Sequence, residues 1–158
     1  MWWASMPNFA VAVSYSQIAV FDGGLRKPFN DWSDQHVRQG FSWRDGSASF
    51  RTLIDSGPMT VEVVTRDRVT LKQESTRAIS VPFEVRENTS VEVATIAESY
   101  PIELDRGAYQ VVFETGANAE GCWCRLTFVR DGEREPRILL QDPRLDPVFP
   151  LLMEAHPA

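Results

Sequence analysis

Apolar residues recur in this chain at every second position. Phe9, Val11, Val13 and Tyr15 form one such run; Met59, Val61 and Val63 another; then come Val81, Phe83 and Val85, Val91, Val93 and Thr95, Tyr109, Val111 and Phe113, and Cys122, Cys124, Leu126 and Phe128. A period of two buries one face of a strand, whereas helices repeat their apolar positions every three to four residues. Ile18 and Val20 continue the first run on the opposite parity, so one long strand with a bulge or sharp twist near Ser16-Gln17 is expected. Shorter strands are expected at Val69-Thr70-Leu71 and Ile138-Leu139-Leu140. Asp22-Gly23-Gly24, Asp45-Gly46, Ser56-Gly57-Pro58, Asp105-Arg106-Gly107 and Asp131-Gly132 read as turns between strands. Many short strands so punctuated predict an all-β chain, an antiparallel β-sandwich or flattened barrel.

One stretch departs from this pattern. Ser33 is a good N-cap, Asp34 an acid suited to a first turn, and Gly40 a helix stop, which predicts one short inserted helix over residues 34–39. Trp32 and Val37 are expected to hold it against the sandwich. Four of the ten prolines, Pro143, Pro147, Pro150 and Pro157, fall in residues 141–158. That density forbids regular sheet, so an irregular proline-rich C-terminal tail is expected. Its Leu145, Val148, Phe149, Leu151, Leu152 and Met153 favour packing on the sandwich over contact with a partner.

A length of 158 residues suits a single domain over 1–158, with residues 1–7 as a flexible N-terminus. No run of about 18 apolar residues is present, so no membrane span is expected. The first residues lack the charge and apolar core of a secretory signal, which favours a cytoplasmic location. Twenty-two acids against sixteen bases give a net charge of −6, which argues against direct nucleic-acid binding. Cys122 and Cys124 lie on one face of a strand, poorly placed to bridge each other, and read as small buried hydrophobes.

Chemistry-bearing patterns are sparse. The two histidines are His36 and His156, too few for a zinc site, and His36 reads as a solvated helix residue. The glycines sit in turns and do not build a phosphate cradle. Asp31 and Asp34 form a carboxylate pair, but each has a sufficient role at a helix start. No catalytic residue, metal or cofactor is therefore assigned.

Charge distribution says more. Residues 81–120 hold eight acids (Glu84, Glu87, Glu92, Glu98, Glu103, Asp105, Glu114 and Glu120) against Arg86 and Arg106, a net of −6; the remaining fourteen acids and fourteen bases cancel. Glu84, Glu92 and Glu114 alternate with apolar neighbours and are expected to face solvent. A hairpin centred on Asn88 would pair Val85 with Val91 and Phe83 with Val93, setting Glu84 across from Glu92. Such an opposition is destabilising unless screened or compensated by Arg86, or kept for a basic partner.

Several stretches, in order, carry a family resemblance: Val13-Ser14-Tyr15-Ser16-Gln17-Ile18-Ala19-Val20-Phe21, Asp31-Trp32-Ser33-Asp34, Gly40-Phe41, Asp45-Gly46-Ser47-Ala48-Ser49-Phe50, Val81-Pro82-Phe83-Glu84-Val85 with Asn88, and Leu104 with Gly107-Ala108-Tyr109-Gln110. Over about residues 10–115 the chain resembles the competence protein J family, small inhibitors of the DNA-entry nuclease of transformable bacteria. The resemblance implies a non-enzymatic protein that binds and blocks a nuclease, and it supplies no catalytic residues. Tyr15, Phe21, Phe50 and Phe83 read as core. Asp31, Trp32 and Asp34 read as surface contacts, since a tryptophan beside two acids suits an interface anchor.

The leading expectation is thus an inhibitor whose acidic surface covers a basic nuclease, with Asp31, Trp32, Asp34, Glu84, Glu92 and Glu114 as partner-binding candidates. The alternative is a small-ligand or carbohydrate-binding β-sandwich using Trp2, Trp3, Trp32, Trp43 or Trp123 as stacking platforms. An enzyme would need a deep pocket with convergent polar groups. The oligomeric state is open, because sandwich edges pair readily between copies.

Overall fold

The structure, a computed structural model, describes residues 8–87 and 89–158. Residues 1–7, with Trp2 and Trp3, and Asn88, the expected hairpin centre, lie outside the described residues.

In chain order the elements are β1 (Asn8–Val13), β2 (Gln17–Asp22), α1 (Asp34–Gln39), β3 (Phe41–Arg44), β4 (Ser47–Arg51), β5 (Gly57–Arg66), β6 (Arg77–Val85), β7 (Val91–Ala94), β8 (Ser99–Ile102), β9 (Gly107–Asn118), β10 (Gly121–Arg130) and β11 (Arg137–Leu140). They form a six-stranded sheet, β1-β5-β10-β9-β6-β11, and a five-stranded sheet, β3-β4-β2-β7-β8. All neighbours are antiparallel except β5 and β10. The chain is an all-β sandwich, as the alternation predicts.

The apolar parity of each strand faces the partner sheet. Ile18, Val20, Phe41, Phe50 and Val93 from one sheet meet Val61, Ile79, Val111, Phe113 and Leu126 from the other, all essentially solvent-free. Phe50 and Phe113 stack across the interface with ring centres 4.9 Å apart and planes within 9°. Each fully buried side chain of this size contributes about 1.5–3 kcal/mol, which makes this layer the main source of stability. The two long sides are also closed. Phe9 of β1 stacks on Tyr100 of β8 at 4.4 Å, and on the opposite side Trp43 Nε1 of β3 donates to the Pro82 carbonyl of β6 at 2.8 Å.

The phase change at residues 14–17 is not a bulge. Ser14 and Gln17 form an antiparallel bridge, and Tyr15 and Ser16 between them take φ of 55° and 56°. This is a two-residue turn that sends β1 into one sheet and β2 into the other. Tyr15, expected in the core, is 79% exposed at its tip.

The expected hairpin around Asn88 is likewise a crossing between sheets. Glu84 lies beside Ala108 of β9, while Glu92 lies between Phe21 of β2 and Pro101 of β8, so the two glutamates never oppose each other. Phe83 and Val85 need one sheet's inner face, Val91 and Val93 the other's, and period two alone does not distinguish a hairpin from such a crossing.

Residues 69–71 form no strand. With the rest of the 67–76 loop they lie over the outer face of the six-stranded sheet, where the Glu74 carbonyl approaches Gly116 so closely that a Cβ there would meet it at 2.6 Å.

Helix α1 spans the predicted residues. Ser33 Oγ accepts the His36 N–H, and Gly40 closes the helix at φ 86°. Its inward face differs from expectation: His36 and Gln39 are buried and Val37 is 39% exposed. The reason is the C-terminal tail, which lies against this helix. Gln39 donates to the Leu152 carbonyl and accepts the Leu152 N–H, each at 2.9 Å. His36 Nδ1 accepts the Ser33 N–H at 2.9 Å, so Nε2 carries the proton and donates to the Glu154 carbonyl at 3.0 Å. His36 is thus a packed connector and not a solvated residue. At the tail's start, Arg77 Nε and Nη2 donate to Asp142 at 2.6 and 3.0 Å, and its Nη1 donates to the Arg51 carbonyl. Burial opposes ionisation of Asp142, but the hydrogen bonds and charge of Arg77 outweigh it and hold the carboxyl below its ordinary value.

Candidate partner-binding site

Residues 28–33 lie across the outer face of the five-stranded sheet and carry two of the sequence candidates. Asn30, fully buried, anchors this strap: Nδ2 donates to the carbonyls of Ser42 and Ser47 at 2.8 and 3.1 Å, and Oδ1 accepts from Arg44 Nε at 2.7 Å. Ser42 Oγ donates to the Asp31 carbonyl at 2.6 Å. Phe29 and Leu25 pack over Ala19, Phe21 and Ala94 beneath.

On this fixed backbone, half-buried Trp32 donates through Nε1 to Gln17 Oε1 at 3.3 Å and meets the His36 ring edge-on. Asp31 Oδ1 accepts the His156 N–H at 2.9 Å while the Asp31 N–H donates to the His156 carbonyl. Asp34 is exposed in the first turn of α1. These three candidates therefore sit together, held from below by the sheet and from the side by the tail.

The glutamate candidates separate from one another. Glu92 is half-buried on the same outer face as Trp32 and accepts from Ser99 Oγ. Phe21, its register partner, is four residues from Gln17, about 13 Å along a strand. Glu84 is exposed on the other sheet.

Glu114, expected at the surface, is fully buried. Its Oε1 accepts the Lys72 N–H and the Ser75 hydroxyl, both at 2.7 Å, and its Oε2 accepts Arg125 Nε and Nη2 at 3.0 and 2.8 Å. Arg125 also donates to the Thr70 carbonyl. Parity does put Glu114 on the outer side of its sheet, but the 67–76 loop covers that side, and Glu114 is the pin that fastens it.

The acidic block is partly neutralised in the same way. Arg125 pairs with Glu114, Arg106 with Glu87 at 3.2 Å, and Arg130 with Asp105 at 3.7 Å, while Arg86 turns to Asp45. Glu98 accepts the Tyr100 hydroxyl at 2.6 Å and the Ala12 N–H at 2.7 Å; the tyrosine bond and then the backbone bond hold its carboxyl below the ordinary range. The eight acids thus do not assemble into one face.

Among the described residues no group of three or more His, Cys, Asp or Glu could hold a metal ion. Cys124 is buried, which pushes its thiol well up, and half-buried Cys122 is shifted the same way by burial. An open depression is lined by Leu25, Arg26, Lys27, Arg44 and Pro157, with no tryptophan. Trp43 closes the sandwich edge, and Trp123, 6% exposed, lies beneath Lys72 at 4.9 Å, so neither offers a stacking platform. Among the described residues no helix is long and apolar enough to cross a membrane.

These features define a β-sandwich protein whose polar side chains hold the fold together and whose accessible candidates lie at the ends and straps of the sandwich. The chain belongs to the Competence protein J (ComJ) family, whose profile matches residues 10–129. It is 25% identical over 101 residues to a protein of Bacillus subtilis (strain 168) described as "DNA-entry nuclease inhibitor", a match covering 64% of this chain and 75% of that one. The crystal structure of ComJ from Bacillus subtilis, described as an inhibitor of the DNA degrading activity of NucA, matches with a TM-score of 0.67 at 20% identity, over 80% of this chain and 99% of that chain. β11 and the tail, which buttresses α1 and Asp31, lie beyond the family match.

Sequence reasoning missed Tyr15 as a surface residue. The signal was present in the parity break at Ser16-Gln17, which fits a turn at least as well as a bulge.

Proposed function

We propose that this chain binds a DNA-degrading nuclease of the NucA type and blocks it, without chemistry of its own. The observation that carries the reading is membership of the ComJ family together with the description of its Bacillus subtilis relative as a nuclease inhibitor. The internal bonding of Glu114, His36 and Asp142 supports it, because these groups are committed to holding a rigid scaffold. Rigid surfaces bind at low ordering cost.

Asp31, Trp32 and Asp34 form the contact region on this reading. The net charge of −6 favours approach to a basic partner, since long-range attraction speeds encounter. Glu84 and Glu92 add to that field from separate places, whereas Glu114 has no part in contact.

The test is DNA cleavage by a NucA-type nuclease, with the purified chain added in increasing amount. Saturable loss of cleavage is the expected result. Unchanged cleavage at several-fold molar excess would overturn the reading.

A further inference from the structure

The turn between β1 and β2 combines backbone strain with the most exposed large apolar ring among the described residues. Tyr15 and Ser16 occupy consecutive left-handed positions, φ 55° and 56°, which hairpin turns normally give to Asn and Gly. A side chain with a β-carbon is disfavoured there, and a bulky one most of all. Tyr15 nevertheless projects 79% into solvent and is absent from the apolar core. Asparagine or glycine would serve the turn better, so the fold itself gives no reason for a tyrosine. Strained residues that surrounding structure holds in place gather at functional sites.

The surroundings do hold it. Ser16 N–H donates to the Asp55 carbonyl at 3.0 Å, Ser16 Oγ donates to Asp55 Oδ1 at 2.9 Å, and Thr52 N–H donates to the Ser16 carbonyl at 2.9 Å. On the other side, Gln17 accepts from Trp32. The backbone that carries the ring is therefore fixed, with an exposed carboxylate, Asp55, bonded to the next residue, and the turn adjoins the Trp32 strap. Arg51 and Arg144, also near this end, donate to the carbonyls of Val37, Arg144 and Leu53.

We propose that the Tyr15 turn is a wedge that enters the DNA cleft of the nuclease. The phenol ring takes the space of an unstacked base, and the Asp55 carboxylate that of a neighbouring phosphate. A cleft that holds unstacked DNA presents cations to phosphates and flat or apolar surface to bases, and an aromatic ring beside a carboxylate matches both. Tyrosine suits the role because it brings large contact area at small entropic cost. The proposal rests on the nuclease-inhibitor reading and locates its centre.

Tyr15→Gly separates binding from folding, because it removes the ring while relieving the strain. The expected result is a melting midpoint equal to or above that of the wild type, with inhibition weakened about 30-fold or more, the scale of an interface hot spot. Tyr15→Phe keeps the ring and is expected to stay within about threefold of wild type. Tyr15→Asn, which tolerates the same backbone, repeats the measurement should glycine loosen the turn. A short DNA duplex in excess is expected to relieve wild-type inhibition by competition. If wild type inhibits and both ring-less variants inhibit equally well, the wedge is wrong and the inhibitor reading stands. If the wild type itself does not inhibit, both fall.

Discussion

Replacing Glu114 by Ala is expected to loosen the molecule and leave its docking chemistry untouched. The side chain is fully buried and accepts four hydrogen bonds, two from the 67–76 loop and two from Arg125. Truncation strands the Arg125 guanidinium, itself only 7% exposed, with the Thr70 carbonyl as its remaining partner. Breaking one side of a buried pair costs about 3–5 kcal/mol. A domain of this size loses about 2–4 °C of melting temperature per kcal/mol, so a fall of roughly 10 °C is expected.

Thermal unfolding by circular dichroism gives the magnitude, and limited trypsin digestion gives the location: Lys72, half-buried within the pinned loop, should become a rapid cleavage site. Combining Glu114→Leu with Arg125→Met removes both charges and should recover most of the loss, since apolar pairs of similar volume replace buried ion pairs at little cost. A melting temperature within about 2 °C of wild type for Glu114→Ala, with weaker nuclease binding that vanishes in salt, would refute this reasoning.

Three further outcomes follow from the same geometry. Gly40→Ala must hold a β-carbon at φ 86° and push it to 2.8 Å from Ile79 Cδ1 and 3.0 Å from Leu145, so a loss of about 3 kcal/mol in urea unfolding is expected. Asp142 has its pKa lowered in the fold, so its contribution is present above the ordinary value of 3.8 and disappears as pH falls through the lower folded value. The melting-temperature gap between wild type and Asp142→Asn should therefore be constant above about pH 5 and shrink below about pH 4. Asp34→Lys, at an exposed position in the first turn of α1, should cost about 1 kcal/mol of stability through the helix dipole and slow association with the nuclease by a few fold in stopped-flow measurements, more at low salt than at high.

The sequence announced its sandwich because a core two sheets thick leaves a plain mark: Val81, Phe83 and Val85, or Tyr109, Val111 and Phe113, alternate with no ambiguity. The helix was equally legible, since Ser33 and Gly40 act locally. Strand partners were not. Parity fixes which side of a strand is buried, but it does not say which sheet the strand joins, and so two crossings between sheets read as a bulged strand and a hairpin. Strands β3, β4 and β8 are four or five residues long and each contains Ser, with a Pro in β8, which leaves too few apolar positions to show a period.

The site suffered from a related ambiguity. Outer parity means solvent only where nothing covers the sheet, and the 67–76 loop covers this one. Val112 and Trp123, apolar on the outer parity two positions along from Glu114 and from its partner Arg125, were the sign of that cover. Asp31, Trp32 and Asp34 stayed together because they are neighbours in the chain, whereas the bond from Trp32 to Gln17 that joins them to the Tyr15 turn spans fifteen residues and leaves no local pattern.

The most direct measurement is a titration of DNA cleavage: a fixed amount of the NucA-type nuclease, a fixed amount of linear duplex, and this chain added from well below to well above the nuclease concentration. A rigid blocking protein gives cleavage that falls to baseline and saturates at a constant ratio of chain to nuclease. Cleavage that continues undiminished across the whole range, with the chain folded throughout, would contradict the account.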